Sequence, residues 1–249
     1  MRAIKKIDLV RIFLRSFYIQ ASWNYPRLIS LGFCYCLMPI LRRLYTERVD
    51  RISFIKRHLD FFNAHPYFAS FALGSVARLE EQNRFERWDS SKPIGMLKKR
   101  LSSPLGAIGD KLFWGTAKPL AATVGVFGSL LFGFFGPVIF FVFYNVPHIY
   151  LRYYGVMRGY EMGFDIVREL SRRRYEKYFR VFQMAGVVFV GVFFGFFSIS
   201  TWKSGSWPMV ALLLVSMVVT WLFVRSRKSI LWPIIINIGL LVGFRYFVG

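Results

Sequence analysis

The sequence predicts an all-α polytopic membrane protein, built from amphipathic and re-entrant helices followed by transmembrane helices. Three observations carry this. The 249-residue chain is 55% hydrophobic and 19% charged, whereas soluble domains are about 25% charged. Its charges stand in blocks between long uncharged runs, the pattern of loops and spans. Its 28 Phe, 13 Tyr and 7 Trp suit lipid-facing surface and interfacial belts.

The formal net charge is +21. Basic blocks beside apolar runs fit cytoplasmic loops and anionic lipid, and argue against a nucleic-acid face. Cys34 and Cys36 lie in an apolar run, too close for ordinary bridging, and read as buried thiols. No Cys/His cluster points to a metal, and no cofactor motif is present. The first twenty residues lack the apolar stretch and small-residue cleavage site of a signal peptide.

Taken in order, residues 4–22 are amphipathic. Ile4, Ile7, Leu9, Ile12, Leu14, Phe17 and Ile19 fall near helical spacing, with Lys5, Lys6, Arg11 and Arg15 between them. Such a helix packs on its own protein or lies in the headgroup layer with its basic face toward anionic lipid. The segment Gln20–Leu28 then concentrates amides and aromatics beside a proline. The apolar run after it, Leu28–Leu41, has 14 residues, short of the about 20 that a span needs. A half-helix or re-entrant element is expected there. Gln20, Trp23 and Asn24 then either face a polar cavity or serve local turn chemistry.

Residues 42–63 read as one charged amphipathic helix. Asn63 and His65, before a proline and an aromatic, make a candidate polar lining. A helix is expected over residues 67–82, ending in a solvated Glu80-Glu81 pair, with a polar loop at Asn83–Lys92.

The stretch Leu101–Ala122 places Gly106, Gly109, Asp110, Lys111, Trp114 and Lys118 between a basic run and a long apolar one. Charges at the mouth of a span need work or partners, and Pro104 and Pro119 restrict a helix through it. It reads as a broken, re-entrant segment and part of a transport site, although Asp110 could equally neutralise Lys111 or Lys118.

Residues 119–151 are 33 positions without Asp, Glu, Lys or Arg. One tilted, bent helix or two half-spanning pieces would fit, with Gly125, Gly128, Gly133 and Gly136 as close-packing points. Arg152–Arg180 reads as a basic cytoplasmic surface helix. Uncharged runs of 22, 21 and 16 residues follow at 181–202, 204–224 and 229–244. Arg225–Lys228 is expected on the cytoplasmic side together with Arg172–Arg174. The chain is thus expected to be one membrane domain over 1–249, passing from 1–100 (amphipathic and re-entrant) through 101–151 and 152–180 to C-terminal spans at 181–249. Phosphate-cradling, nucleotide-binding, zinc-protease and nucleophile-elbow motifs are absent from the sequence.

Four segments together resemble the IID membrane component of the mannose-family sugar phosphotransferase system. They are RSFYIQASWNYPRLISLGFCYCLMPIL (Arg15–Leu41), KRHLDFFNAHPYFASFALGSVARLEEQ (Lys56–Gln82), SSPLGAIGDKLFWGTAKPLAA (Ser102–Ala122) and, more weakly, YYGVMRGYEMGFDIV (Tyr153–Val167). The resemblance covers roughly residues 5–200. It implies half of a sugar path in the bacterial cytoplasmic (inner) membrane, completed by a IIC subunit. A soluble IIB subunit would phosphorylate the sugar and IIA would recharge it. His58, His65 and His148 would then carry no phosphoryl group, and the chain would be no enzyme itself.

The chain departs from the family pattern at Lys111, where a small hydroxyl residue is usual, in its short Lys203–Trp207 connection, and in its basic balance. The expected substrate-binding residues are Gln20, Trp23, Asn24, Asn63, His65 and Asp110, with Trp114 as a second ring platform. Amides and carboxylates match sugar hydroxyls and rings cover C–H faces. The alternative is a divergent non-transporting scaffold that recruits soluble phosphotransfer subunits through its basic surface.

Overall fold

The computed structural model describes residues 3–170, 172–203, 207–226 and 231–248. They form an all-α fold. In chain order the helices are α1 (Lys6–Arg15), α2 (Ser30–Leu44), α3 (Arg48–His58), α4 (Ala69–Glu86), α5 (Lys92–Gly109), α6 (Lys118–Phe132), α7 (Phe135–Met162), α8 (Ile166–Glu169), α9 (Arg172–Lys203), α10 (Trp207–Arg225) and α11 (Leu231–Val248). The chain divides into two compact units, Met1–Val187 and Val188–Gly249, with the division inside α9.

In the first unit α4 is the central element, buried along nearly its whole length. Its sequence, ASFALGSVARLEEQ, alternates small and apolar residues, which lets α7 approach closely. A Cβ on Gly159 would collide with the Phe71 carbonyl and come within 2.9 Å of the Ser75 nitrogen, and one on Gly74 would strike the Val156 carbonyl. The two helices run parallel, Ser70 meeting Gly155 and Gly74 meeting Gly159. Small residues at such a crossing allow backbone packing. Phe33, Phe54, Phe62, Phe68 and Phe71 fill the core around α4 without exposed surface, each contributing about 1.5–3 kcal/mol of burial.

Several sequence expectations change. Residues 42–63 are not one helix. α2 ends at Leu44, α3 occupies Arg48–His58, and an irregular segment leads to α4. Leu101–Ala122 is not broken. Lys92–Phe132 is a continuous helical stretch of 41 residues, long and apolar enough to cross a membrane. Its distortion is an eight-residue π stretch at Asp110–Ala117. Pro93 stands in the first turn of α5, where a missing N–H costs little, while Pro119 comes just after the π stretch.

The uncharged run 119–151 resolves into two pieces, a hairpin of α6 and α7. Gly133, at φ 56°, makes the turn, a conformation open to glycine at no steric cost. Gly125 and Gly128 pack against Phe140 and Ile139, and Gly136 against Ser129. Arg152–Arg180 is likewise not one helix, because α7 runs on to Met162 before a 3₁₀ turn, α8 and the start of α9.

In the second unit α10 and α11 pack together, and Asn237 Nδ2 donates to Thr220 Oγ1 at 3.0 Å. The stretch Phe179–Phe196 within α9 is also long and apolar enough to span. Parts of the Lys203–Trp207 link and of the Arg225–Lys228 block lie outside the described residues.

Candidate functional site

The segment between α3 and α4 carries Asn63 and His65, and α5 holds it along one face. Lys98, 2% exposed, donates from Nζ to the carbonyls of Arg57, His58 and Asp60 at 3.3, 3.1 and 3.2 Å. These are unpaired carbonyls at and beyond the α3 C-terminus, where a cation is favoured. One turn further along α5, Ser102 Oγ donates to the Asn63 carbonyl. Two turns beyond that, His65 packs directly on Gly109, where any side chain would overlap its ring. Positions 98, 102 and 109 share a helix face, so α5 reads residues 60, 63 and 65 in order. His65 is thereby fixed at the entry to the π stretch.

There His65 stacks on Phe113 at 5.4 Å and meets Trp114 edge-on at 5.7 Å. Asp110, exposed, begins the same stretch. Among the described residues no ion pair joins Asp110 to Lys111 or Lys118. Lys111 Nζ lies 4.6 Å over the Phe179 ring and Lys118 Nζ 4.8 Å over Trp114. Thr116 Oγ1 donates to the Lys111 carbonyl at 2.7 Å, bonding within the widened turn. A π stretch inside an α-helix is frequent at functional sites.

On the other side of His65 stands a cluster that the sequence did not disclose. Tyr67 meets His65 edge-on at 4.8 Å and stacks on His148 at 4.4 Å. Its hydroxyl lies 3.1 Å from that of Tyr144. Arg152, 4% exposed, lies over the rings of Tyr67 and Phe17 at 4.8 and 5.0 Å. It donates to the Ser16 carbonyl and, at 3.2 Å, to Ser16 Oγ.

No salt bridge reaches Arg152 among the described residues. His65 Nε2, His148 Nδ1 and Arg152 Nε are all buried there without a hydrogen-bond partner. An unmet buried polar group costs about 1–3 kcal/mol. Three such atoms lie around one tyrosine.

The remaining predicted residues lie nearby in the chain's path but outside this cluster. Asn24 Nδ2 donates to the Ser22 carbonyl at 3.2 Å, and its Oδ1 accepts from Arg27 N at 3.0 Å. Its side chain therefore serves the turn. Leu28, at φ 52°, pairs its backbone with Asn24 on one side and Phe62 on the other, which ties the turn to the Asn63–His65 segment. Gln20 is exposed, and Trp23 is half-exposed and edge-on to Tyr25 at 4.9 Å. The structure thus brings Asn63, His65, Asp110 and Trp114 to the α5 wall and leaves Gln20, Trp23 and Asn24 on an adjoining turn.

Glu80 and Glu81 are buried, not solvated, at 0% and 1% exposed. Glu80 accepts from Tyr45, from Arg57 at 2.6 and 3.0 Å, and lies 2.8 Å from His58 Nε2. Glu81 turns the other way, to the backbone of Ala3 and Ile4, to Arg78 and to Tyr160. Both tie helices together. Among the described residues no group of His, Cys, Asp and Glu is placed to hold a metal.

Known proteins share this sequence and architecture. The family model of the PTS system mannose/fructose/sorbose family IID component matches residues 3–247. The chain is 39% identical over 171 residues to the mannose-specific EIID component of Escherichia coli K12, covering 68% of this chain and 60% of that relative. It is 32% identical to the sorbose-specific EIID component of Klebsiella pneumoniae, over 84% of this chain and 74% of the relative. A solved structure described as a membrane protein superposes with a TM-score of 0.80 at 29% identity, covering 98% of each chain. A chain of the mannose transporter ManYZ in complex with microcin E492 superposes with a TM-score of 0.63, also at 29% identity, covering 99% of this chain and 98% of that one.

Proposed function

The chain belongs to the mannose/fructose/sorbose family of phosphotransferase-system IID components, and from that premise we propose that it lines a sugar path with a IIC subunit in the bacterial cytoplasmic membrane. Bond-making chemistry lies on partners in this reading. A IIB subunit phosphorylates the arriving sugar and IIA recharges IIB, while this chain binds and gates. The observation that carries the proposal is the buried cluster of His65, Tyr67, His148 and Arg152 with its three unpaired nitrogens. It sits beside a π stretch that opens with Asp110 and presents Trp114. Imidazole and guanidinium donors, a carboxylate acceptor and a ring face suit a polyhydroxylated ligand.

Asn63, His65 and Asp110 are the residues assigned to sugar, with Gln20 and Trp23 on the adjoining turn completing the set and Asn24, its amide bonded to Ser22 and Arg27, shaping that turn. Arg152 and His148 are assigned to the wall behind His65. The test is sugar uptake by cells that carry the chain with its IIC, IIB and IIA partners. Asp110→Ala and Asn63→Ala, each at normal membrane abundance, are expected to cut uptake at least about tenfold, the loss of one good hydrogen-bond set to the ligand. Unchanged uptake in both would remove the assignment.

A further inference from the structure

Two hollows adjoin on α2, one between α2 and α1 and the other between α2, α3 and the turn that follows α1. The first, about 690 Å³, is lined by Asp8, Arg11, Arg15, Arg42 and Arg43 with Tyr35, Met38 and Pro39. The second, about 480 Å³, is apolar, with Leu31, Ile55, Leu59 and Tyr18 in its walls. Tyr35 and Met38 line both, so the two adjoin at these side chains. Both volumes fall in the range of ligand sites, about 300–1,000 Å³.

The sequence builds this arrangement by helical register. Asp8, Arg11 and Arg15 share one face of α1; Tyr35, Met38, Pro39 and Arg42 share one face of α2. Pro39 has no N–H, so the Tyr35 carbonyl four residues earlier lacks its helical donor. Arg15 Nη1 donates to that oxygen at 3.1 Å and its guanidinium lies 4.6 Å over the Tyr35 ring. The proline thus sets an arginine at the border between the basic and apolar hollows.

Charge is not balanced within the site. Asp8 is spent on Arg43, at 2.5 and 3.1 Å, and lies 4.0 Å from Arg11. Four arginines face one carboxylate. The site calls for an anion of compact geometry, which guanidinium groups grip by paired hydrogen bonds, joined to an apolar chain.

We infer that the α1–α2 groove binds an anionic phospholipid, its phosphate held by Arg11, Arg15 and Arg42 and its acyl chain in the apolar hollow beneath Tyr35. A soluble anion would leave the second hollow unused, and an acidic protein would need a flat contact in place of two adjoining hollows.

The test uses the full chain in neutral detergent and native mass spectrometry with dioleoyl phosphatidylglycerol, dioleoyl phosphatidylcholine and inorganic phosphate as probes. Phosphatidylglycerol is expected to bind at least about tenfold tighter than phosphatidylcholine, given the energy of two or more basic side chains at an anionic headgroup. Arg11→Gln with Arg42→Gln, both exposed and outside the Asp8–Arg43 pair, should bring the two lipids near parity. Leu31→Trp, filling the apolar hollow, should weaken dioleoyl phosphatidylglycerol while leaving a short-chain phosphatidylglycerol unaffected. Equal binding of the two lipids by the unaltered chain would overturn the inference. So would displacement of the lipid by equimolar inorganic phosphate, or indifference to Leu31→Trp.

Discussion

A carboxylate with no exposed surface has to be ionised against partners or not at all. Burial alone would raise Glu80, but the hydrogen bonds from His58 and Arg57 outweigh it and hold the group at about 2. Burial also keeps His58 below its ordinary value, with Lys98 and Arg57 adding to the effect against the pull of Glu80. The two shifts act in the same direction on stability. Glu80's contribution is complete above its ordinary 4.5 and is lost as pH falls toward 2. Protonating His58 favours the unfolded chain, so its loss begins below about pH 6.5. The thermal unfolding midpoint of the detergent-purified chain should therefore fall steadily from pH 7 to pH 4. Glu80→Gln should cost about 3–5 kcal/mol at pH 7 by leaving half-buried Arg57 without its carboxylate, and should flatten the decline below pH 4.5. A variant with the unaltered midpoint and profile would mean that the hub does not hold these helices. None of this was legible from Glu80-Glu81 in sequence. Helical geometry correctly sends the two side chains to different faces, but the partners of Glu80 lie 22 to 35 positions away, and those of Glu81, apart from Arg78, lie 77 to 79 positions away. Lys98 misled in the same way. Inside a basic run it reads as a topology signal, and only the fold shows it closing the end of α3. Arg152 reads as the charge that ends an apolar run, and only packing reveals that it is buried.

At the scale of elements, the sequence disclosed apolar runs and their charged borders well, and the internal turns poorly. A 33-residue uncharged stretch has no polar punctuation, so Gly133 looked like one more packing glycine. Its φ of 56° makes it the hinge of the α6–α7 hairpin instead. The Pro104 and Pro119 pair suggested a break, whereas the helix continues and absorbs its strain as a π stretch. The glycines that matter most to the first unit are those of the α4–α7 crossing, set by neighbours far away in sequence. Gly159 and Gly106 form a controlled pair. A Cβ at Gly159 meets the backbone of Phe71 and Ser75, which cannot yield as a side chain could, while one at Gly106 meets nothing within 4 Å. Gly159→Ala should lower stability by about 1–3 kcal/mol through forced separation of the helices. Gly106→Ala should be neutral or stabilising by about 0.5–1 kcal/mol, since it only restricts the unfolded chain in a helical position. Equal unfolding midpoints for the two variants would show that the crossing tolerates separation.

For the whole molecule, two properties pull toward a membrane and they act differently. The net charge of +21 draws the chain to anionic lipid, a force that salt screens within about 3 Å at 1 M. The apolar surface acts without charge. Phe132, Phe134, Phe135, Phe141 and Val142 on the hairpin are exposed, as are Val187, Val188, Leu214, Leu222, Ile235 and Leu241 in the later helices. Soluble monomers rarely expose apolar surface of this extent, and where it occurs it marks a protein or membrane contact. Composition foretold this surface because lipid-facing positions need only be apolar, so their identity does not depend on distant partners, unlike the residues of the candidate site. If apolar surface dominates, the chain expressed in bacterial cells should stay in the membrane pellet through both 1 M salt and alkaline carbonate. A chain held by charge would leave in salt, and one resting only on the headgroup layer would leave in carbonate. The two candidate spans lie in Lys92–Phe132 and Phe179–Phe196, and the shorter, 18 residues long, reaches about 27 Å, close to the thickness of a bilayer core. Retention in both washes should therefore survive Arg11→Gln with Arg42→Gln, which alters lipid choice in the groove but none of the spanning surface. Release of that variant by salt would assign its attachment to the basic face and count against integral insertion.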